Sequence, residues 1–165
     1  MFQAGKFKTL GLANYKAPQI EAWMRVCDGF GFVRESVYQG LYNPLSRRLE
    51  SDGRLEVLRK YAMVTHPDSP LAGGFLTGKA TAGDIKGTRF DEDDEMGVPG
   101  LGGYDKEGLH AAVRRLGEVG GRYGLGTTEI SLRWLMKHSV LGDGDGDFMG
   151  GGMWRLRGGD RCWWR

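Results

Sequence analysis

The chain has 165 residues, 40% of them hydrophobic and 27% charged, which fits one folded domain and excludes a wholly disordered polymer. Its formal net charge of +2 comes from 23 basic and 21 acidic side chains mixed along most of the sequence, so the charge balance singles out no polyanionic partner. No run of 18 apolar residues and no apolar stretch of signal-peptide length is present; a membrane role is not expected, and the cytoplasm is the default location.

In chain order, Thr9 to Asn14 (TLGLAN) reads as a short apolar strand ending at a turn, and Pro18 sits where a first helical residue is welcome. Ile20, Trp23, Met24 and Cys27 then recur at helical spacing, predicting a surface helix with one apolar stripe that Gly29 stops. Ser36 to Tyr42 (SVYQGLY) is rich in strand formers, with Gly40 weakening it and Asn43 and Pro44 ending it. A second helix is expected over Ser51 to Lys60 with Leu55 and Leu58 buried, and a third strand over Tyr61 to Asp68. Pro67 interrupts that strand on paper, because proline cannot donate a ladder hydrogen bond.

Ser69 to Lys79 (SPLAGGFLTGK) is a loop, and Thr81 to Gly103 is acidic, glycine-rich and aperiodic, as a long exposed loop would be. Leu109, Val113, Leu116 and Val119 predict the stripe of a further helix. Thr127 is placed to cap another, with Glu129 in its first turn and Ile130, Trp134 and Leu135 on its buried side. The order β-α-β-α-β-loop-α-α argues for a parallel α/β unit. Three strands leave both sheet edges unprotected, so the unit reads as incomplete.

The chain holds 29 glycines, well above a usual share of about 7%. Eight fall in residues 142–165, together with three of the five tryptophans and four arginines. No strand or helix period survives there, so this tail is expected to be disordered.

Several motifs fall short of the site they imitate. Gly73 to Ala80 (GGFLTGKA) nearly fits the phosphate-loop pattern, but Ala80 lacks the hydroxyl that helps hold magnesium. Gly124-Leu125-Gly126 lacks the third glycine of a dinucleotide fingerprint. Asp143, Asp145 and Asp147 imitate a calcium loop, yet Phe148 and Trp154 stand where glycine and glutamate are needed. His66, His110 and His138 share no metal-ligand spacing and read as exposed or helix-end residues, and Cys27 and Cys162 form neither a disulfide framework nor a metal motif. No metal site is expected.

The segments GKFKTLGLANY, SVYQGLYN and SPLAGGFLTGK, followed by TTEISLRWLMKHS, resemble in order and separation the aldo-keto reductases, most closely the aflatoxin-aldehyde-reductase-like branch. The resemblance implies part of a TIM (β/α)₈ barrel, covering about strands five to seven with their helices, in which residues 1–141 are the C-terminal part of the reductase domain and 142–165 are not family-like. It implies NADPH as cofactor and an aldehyde or ketone as substrate. Carried over residue by residue, Asn14 and Gln39 match the positions that hold the nicotinamide carboxamide. Ser69, Pro70, Leu71, Ala72, Gly73, Gly74 and Lys79 match the loop around the pyrophosphate, and Arg89 a further cofactor contact.

The departures from the family are specific. Ala13 stands where the family has a serine, and Asp68 where an aromatic would stack on the nicotinamide. The family's catalytic tyrosine, lysine, aspartate and histidine belong to the first four strands, for which this sequence has no counterpart, so no catalytic residue is assigned. A truncated reductase, inactive alone and with weak or no NADPH affinity, is the expected function. Alternatives are a non-enzymatic fragment that docks onto another barrel subunit and, further off, a nucleic-acid-binding module using the arginines and tryptophans of the tail.

Overall fold

The computed structural model describes residues 4–91, 93 and 103–141; the expectations for the tail, including Asp143, Asp145, Asp147 and Cys162, lie outside them. Three parallel strands form one sheet in the order β1 (Gly11–Ala13), β2 (Val37–Leu41), β3 (Val64–Asp68). Helix α1 (Ala17–Phe30) connects β1 to β2, and α2 (Arg54–Lys60) connects β2 to β3. After β3 come a short 3₁₀ segment, Ala72–Thr77, then α3 (Glu107–Gly121) and α4 (Thr127–Arg133), which runs on as a π-type turn over Trp134–His138.

Strand alternation divides the sheet into two faces. Leu12, Tyr38, Gly40, Thr65 and Pro67 point to a buried side, where they meet Ile20 and Met24 of α1, Leu55 and Leu58 of α2, and Leu135 and Leu141. Register pairs Ala13 with Gln39 and Gln39 with His66, and two residues on pairs Leu41 with Asp68. These residues lie on the opposite face, which no described element covers: Ala13, Gln39 and Leu41 are exposed, and Val37, Val64, His66 and Asp68 are half-buried.

Several local expectations are corrected. Pro67 does not interrupt β3. The Val64 amide donates to the Ser36 carbonyl at 2.8 Å and the Asp68 carbonyl accepts from Tyr42 at 3.1 Å, so residues 64, 66 and 68 bond to β2 while 65 and 67 face away. The missing donor of Pro67 falls on the edge where β2 needs none. Gly40 does not weaken β2 either: Tyr38 is fully buried and its ring lies over the Gly40 Cα, where a methyl group would sit 2.6 Å from Cε1.

Helix α1 ends not at Gly29 but after Phe30, where Gly31 adopts φ +65° and closes the helix with its amide on the Cys27 carbonyl. Pro18 is its second residue, not its first. Trp23 leaves the buried stripe, 40% exposed, because its indole N–H reaches across to the Glu35 carboxylate at 2.6 Å. The helix expected from Ser51 is split. A 3₁₀ turn covers Arg48–Glu50, Gly53 at φ +80° breaks the path, and α2 starts at Arg54. Val119 of α3 is exposed, while Gly120 is buried against the Leu125 carbonyl.

Thr127 does not cap α4. Gly126 occupies that position, and the Thr127 hydroxyl donates instead to the Thr77 carbonyl at 2.9 Å. Ile130 and Trp134 are half-buried beside the fully buried Leu135. His110 is not an exposed residue. Its ring sits between Thr81 Oγ1, at 3.1 Å, and the edge of Phe75.

Candidate functional site

Asn14 and the segment from Ser69 follow the C-terminal ends of β1 and β3, the end at which open α/β sheets and barrels bind ligands, while Gln39 is the middle residue of β2. Asn14 follows β1 directly. It adopts φ +62°, a conformation asparagine tolerates better than most residues, and its amide still pairs with the Gln39 carbonyl at 2.9 Å. Asn14 and Gln39 are therefore neighbours on adjacent strands, both exposed. Each side chain ends in a carboxamide, a group that both donates and accepts hydrogen bonds.

After β3 the backbone passes through a run of left-handed residues: Ser69 at φ +51°, Ala72 at +53°, Gly73 at +68°, Gly74 at +104° and Gly78 at +84°. Two of these are not glycine, and strain of that kind persists only where neighbours hold it. The holding groups are identifiable. Asn43, fully buried, donates from its side-chain amide to the Ser69 carbonyl at 2.9 Å and accepts from the Leu45 and Ser46 amides at 3.0 and 2.9 Å. Thr77 Oγ1 donates to the Gly74 carbonyl at 2.7 Å, and Thr127 ties the Thr77 carbonyl to α4.

The middle of the segment is anchored by Phe75, whose ring stacks on Tyr104 and meets Phe90 edge-on. Ala72, Phe75, Leu76, Ala80, Phe90 and Val113 form a second apolar cluster beneath it. Phe90 closes off the side towards which side chains at Gly73 and Gly74 would point. The residues from Thr81 to Phe90, expected as an exposed loop, thus supply a buried anchor.

Not every polar backbone group of the segment is used. The amides of Ser69 and Leu71 donate to no group among the described residues, whereas those of Ala72, Gly74, Leu76 and Gly78 are bonded within the turn. Two unpaired N–H groups one residue apart, beside the proline of Ser69-Pro70-Leu71, are a fit for a phosphate oxygen. Lys79 and Arg89 are exposed at the far end and carry no ion pair among the described residues. The backbone and charges of this segment therefore suit an anionic ligand.

Asp68 is the member that does not fit an aromatic platform. It ends β3 on the uncovered face, accepts a hydrogen bond from Ser69 Oγ at 3.2 Å, and makes no ion pair among the described residues. Nearby, burial pushes the Tyr104 phenol up, the Asn43 side chain works against that rise, and the Asp68 carboxylate adds to it. Asn43, Phe90 and Tyr104 were missed as contributors to the site. Only the Asn-Pro pair marked Asn43 in sequence, as a turn, and nothing local marked the other two.

Among the described residues no group of three or more His, Cys, Asp or Glu is placed to hold a metal ion. No described helix is long and apolar enough to cross a membrane.

The model of the Aldo/keto reductase family matches residues 1–150. An aldo-keto reductase of Pseudocercospora fijiensis is 33% identical over 154 residues, covering 89% of this chain and 50% of the relative. Aldo-keto reductase pigE of Monascus ruber is 32% identical over 152 residues, covering 89% and 44%. Aflatoxin B1 aldehyde reductase member 4 of Homo sapiens is 30% identical over 156 residues, covering 89% and 46%. The chain spans about half the length of the curated relatives it matches.

Proposed function

The chain belongs to the aldo/keto reductase family, and on that premise we propose that it is the cofactor-holding part of an NADPH-dependent reductase of aldehydes or ketones, without catalytic power of its own. The family has a TIM-barrel-like α/β fold, and a parallel sheet with helices packed on one face is consistent with part of such a barrel. In this reading β1, β2 and β3 are the fifth, sixth and seventh strands, and their uncovered face is the one that would line a barrel.

The observation that carries the proposal is the backbone pairing of Asn14, just after β1, with Gln39 of β2, together with a left-handed segment after β3 whose Ser69 and Leu71 amides donate to no group among the described residues. Asn14 and Gln39 would hold the nicotinamide carboxamide and so fix which face of the ring is presented. Ser69, Leu71 and the glycines of the segment would take the pyrophosphate, with Lys79 and Arg89 supplying positive charge. When bound, NADPH supplies the hydride. Proton delivery to a carbonyl oxygen needs a positioned acid, and no position here matches the family's catalytic tyrosine or its lysine, aspartate and histidine partners.

Titration of NADPH fluorescence with the 165-residue chain tests the assignment. Weak saturable binding is expected, weakened further by Gln39→Leu and by Lys79→Ala. A signal that never saturates, or that ignores both substitutions, counts against it.

A second reading has its own support. Val37, Gln39, Leu41, Val64, His66 and Asp68 make a sheet face that nothing described covers, whereas parallel sheets are as a rule covered on both sides. A chain that docks through this face onto another barrel subunit would self-associate or unfold without cooperativity when isolated. A monomer with a sharp thermal transition would contradict that reading.

A further inference from the structure

Resting on the cofactor assignment above, we propose that Asp68 makes this site discriminate between the two redox forms of the cofactor, favouring the oxidised, cationic nicotinamide over the reduced, neutral one. Asp68 is one strand over from Gln39 and two residues further along, on the same uncovered face. Strand spacing and rise put such a diagonal pair roughly 8 Å apart. A ring held by the carboxamides of Asn14 and Gln39 therefore lies within the reach of the Asp68 charge.

Among the described residues that charge meets no cation. Asp68 has a hydroxyl donor, Ser69 Oγ. Where a flat apolar side chain would treat the two ring forms alike apart from stacking, a carboxylate attracts the positive ring and gives nothing to the neutral one. The same carboxylate precedes Ser69 and accepts from its hydroxyl, so it also repels a pyrophosphate bound at that segment. Both cofactor forms carry that pyrophosphate. The repulsion cancels in the ratio of their affinities, and the ratio isolates the effect on the ring.

The test is to measure dissociation constants of NADP⁺ and NADPH by titration calorimetry for the full chain and for Asp68→Asn, at low ionic strength. Glu56→Gln, which removes an exposed carboxylate from α2 on the far side of the sheet, serves as the charge-matched control. The native chain is expected to bind NADP⁺ about three- to tenfold more tightly than NADPH, the range for a unit charge at this separation in a partly screened site. Asp68→Asn is expected to bring the ratio close to one, with NADPH tightened relative to NADP⁺, and Glu56→Gln to leave the ratio where it was. Added salt should shrink the ratio of the native chain, a readout that needs no variant.

Binding of both forms at a ratio that neither Asp68→Asn nor salt changes would overturn the role of Asp68 and leave the cofactor assignment standing. Failure of every variant to bind either form would overturn the cofactor assignment, and the proposal with it.

Discussion

A methyl group at position 40 would lie 2.6 Å from Cε1 of Tyr38 and 2.9 Å from its hydroxyl, and that ring cannot swing away. Its hydroxyl donates to the Tyr15 carbonyl and accepts from Arg54, both at 3.0 Å. Gly40→Ala is therefore expected to cost about 1–3 kcal/mol in urea denaturation, the usual range for overpacking a filled core. Asn43→Ala removes the donor to Ser69 and the acceptor for two amides at once. A loss of similar size is expected, with faster hydrogen exchange in the segment from Ser69 to Thr77 than in α1. Tyr42 is buried, and burial with the Glu50 carboxylate pushes its phenol up to about 12. A folded-state value above the unfolded one means stability that is present below about pH 10 and lost as pH rises through 10 to 12. Alkaline unfolding of the native chain should therefore be steeper than that of Tyr42→Phe.

At the scale of elements, the strands and helices were legible wherever local pattern decides: the stripe of Ile20, Met24 and Cys27, the buried Leu55 and Leu58, and the run around Val37. Where sequence reasoning erred, a partner distant in the chain had decided the outcome. Pro67 looked like a strand breaker because its sequence does not say which edge faces β2. Thr127 looked like a cap because its nearest amides are local, whereas its hydroxyl bonds to Thr77, fifty residues back. Gly120 is the sharpest case. A methyl group there would run into the Leu125 carbonyl oxygen and Ile130 Cδ1. Gly120→Ala should thus loosen the packing of α3 against α4 and lower the thermal midpoint, by an amount comparable to Gly40→Ala, although helix propensity alone would favour alanine.

For the whole molecule, the family, the α/β class and most of the candidate site were legible because Asn14, Gln39 and the loop from Ser69 to Lys79 are short contiguous motifs. What holds that loop was not, since Asn43, Phe90 and Tyr104 reach it from three separate stretches of chain. The result is a sheet with one packed face and one face that no described element covers, with Gln39 and Asp68 on the uncovered face and Asn14 and the Ser69 segment just after the strands. Under the proposed function this chain binds the cofactor without using it. One cuvette tests it most directly: the purified 165-residue chain with NADPH, followed by cofactor fluorescence, then by absorbance after addition of a reactive aldehyde. Weak saturable binding, abolished in the Asn14→Gly, Gln39→Leu double variant, with no aldehyde-dependent loss of NADPH is the predicted result. Binding indifferent to the double variant, or aldehyde-dependent oxidation of NADPH, would contradict it.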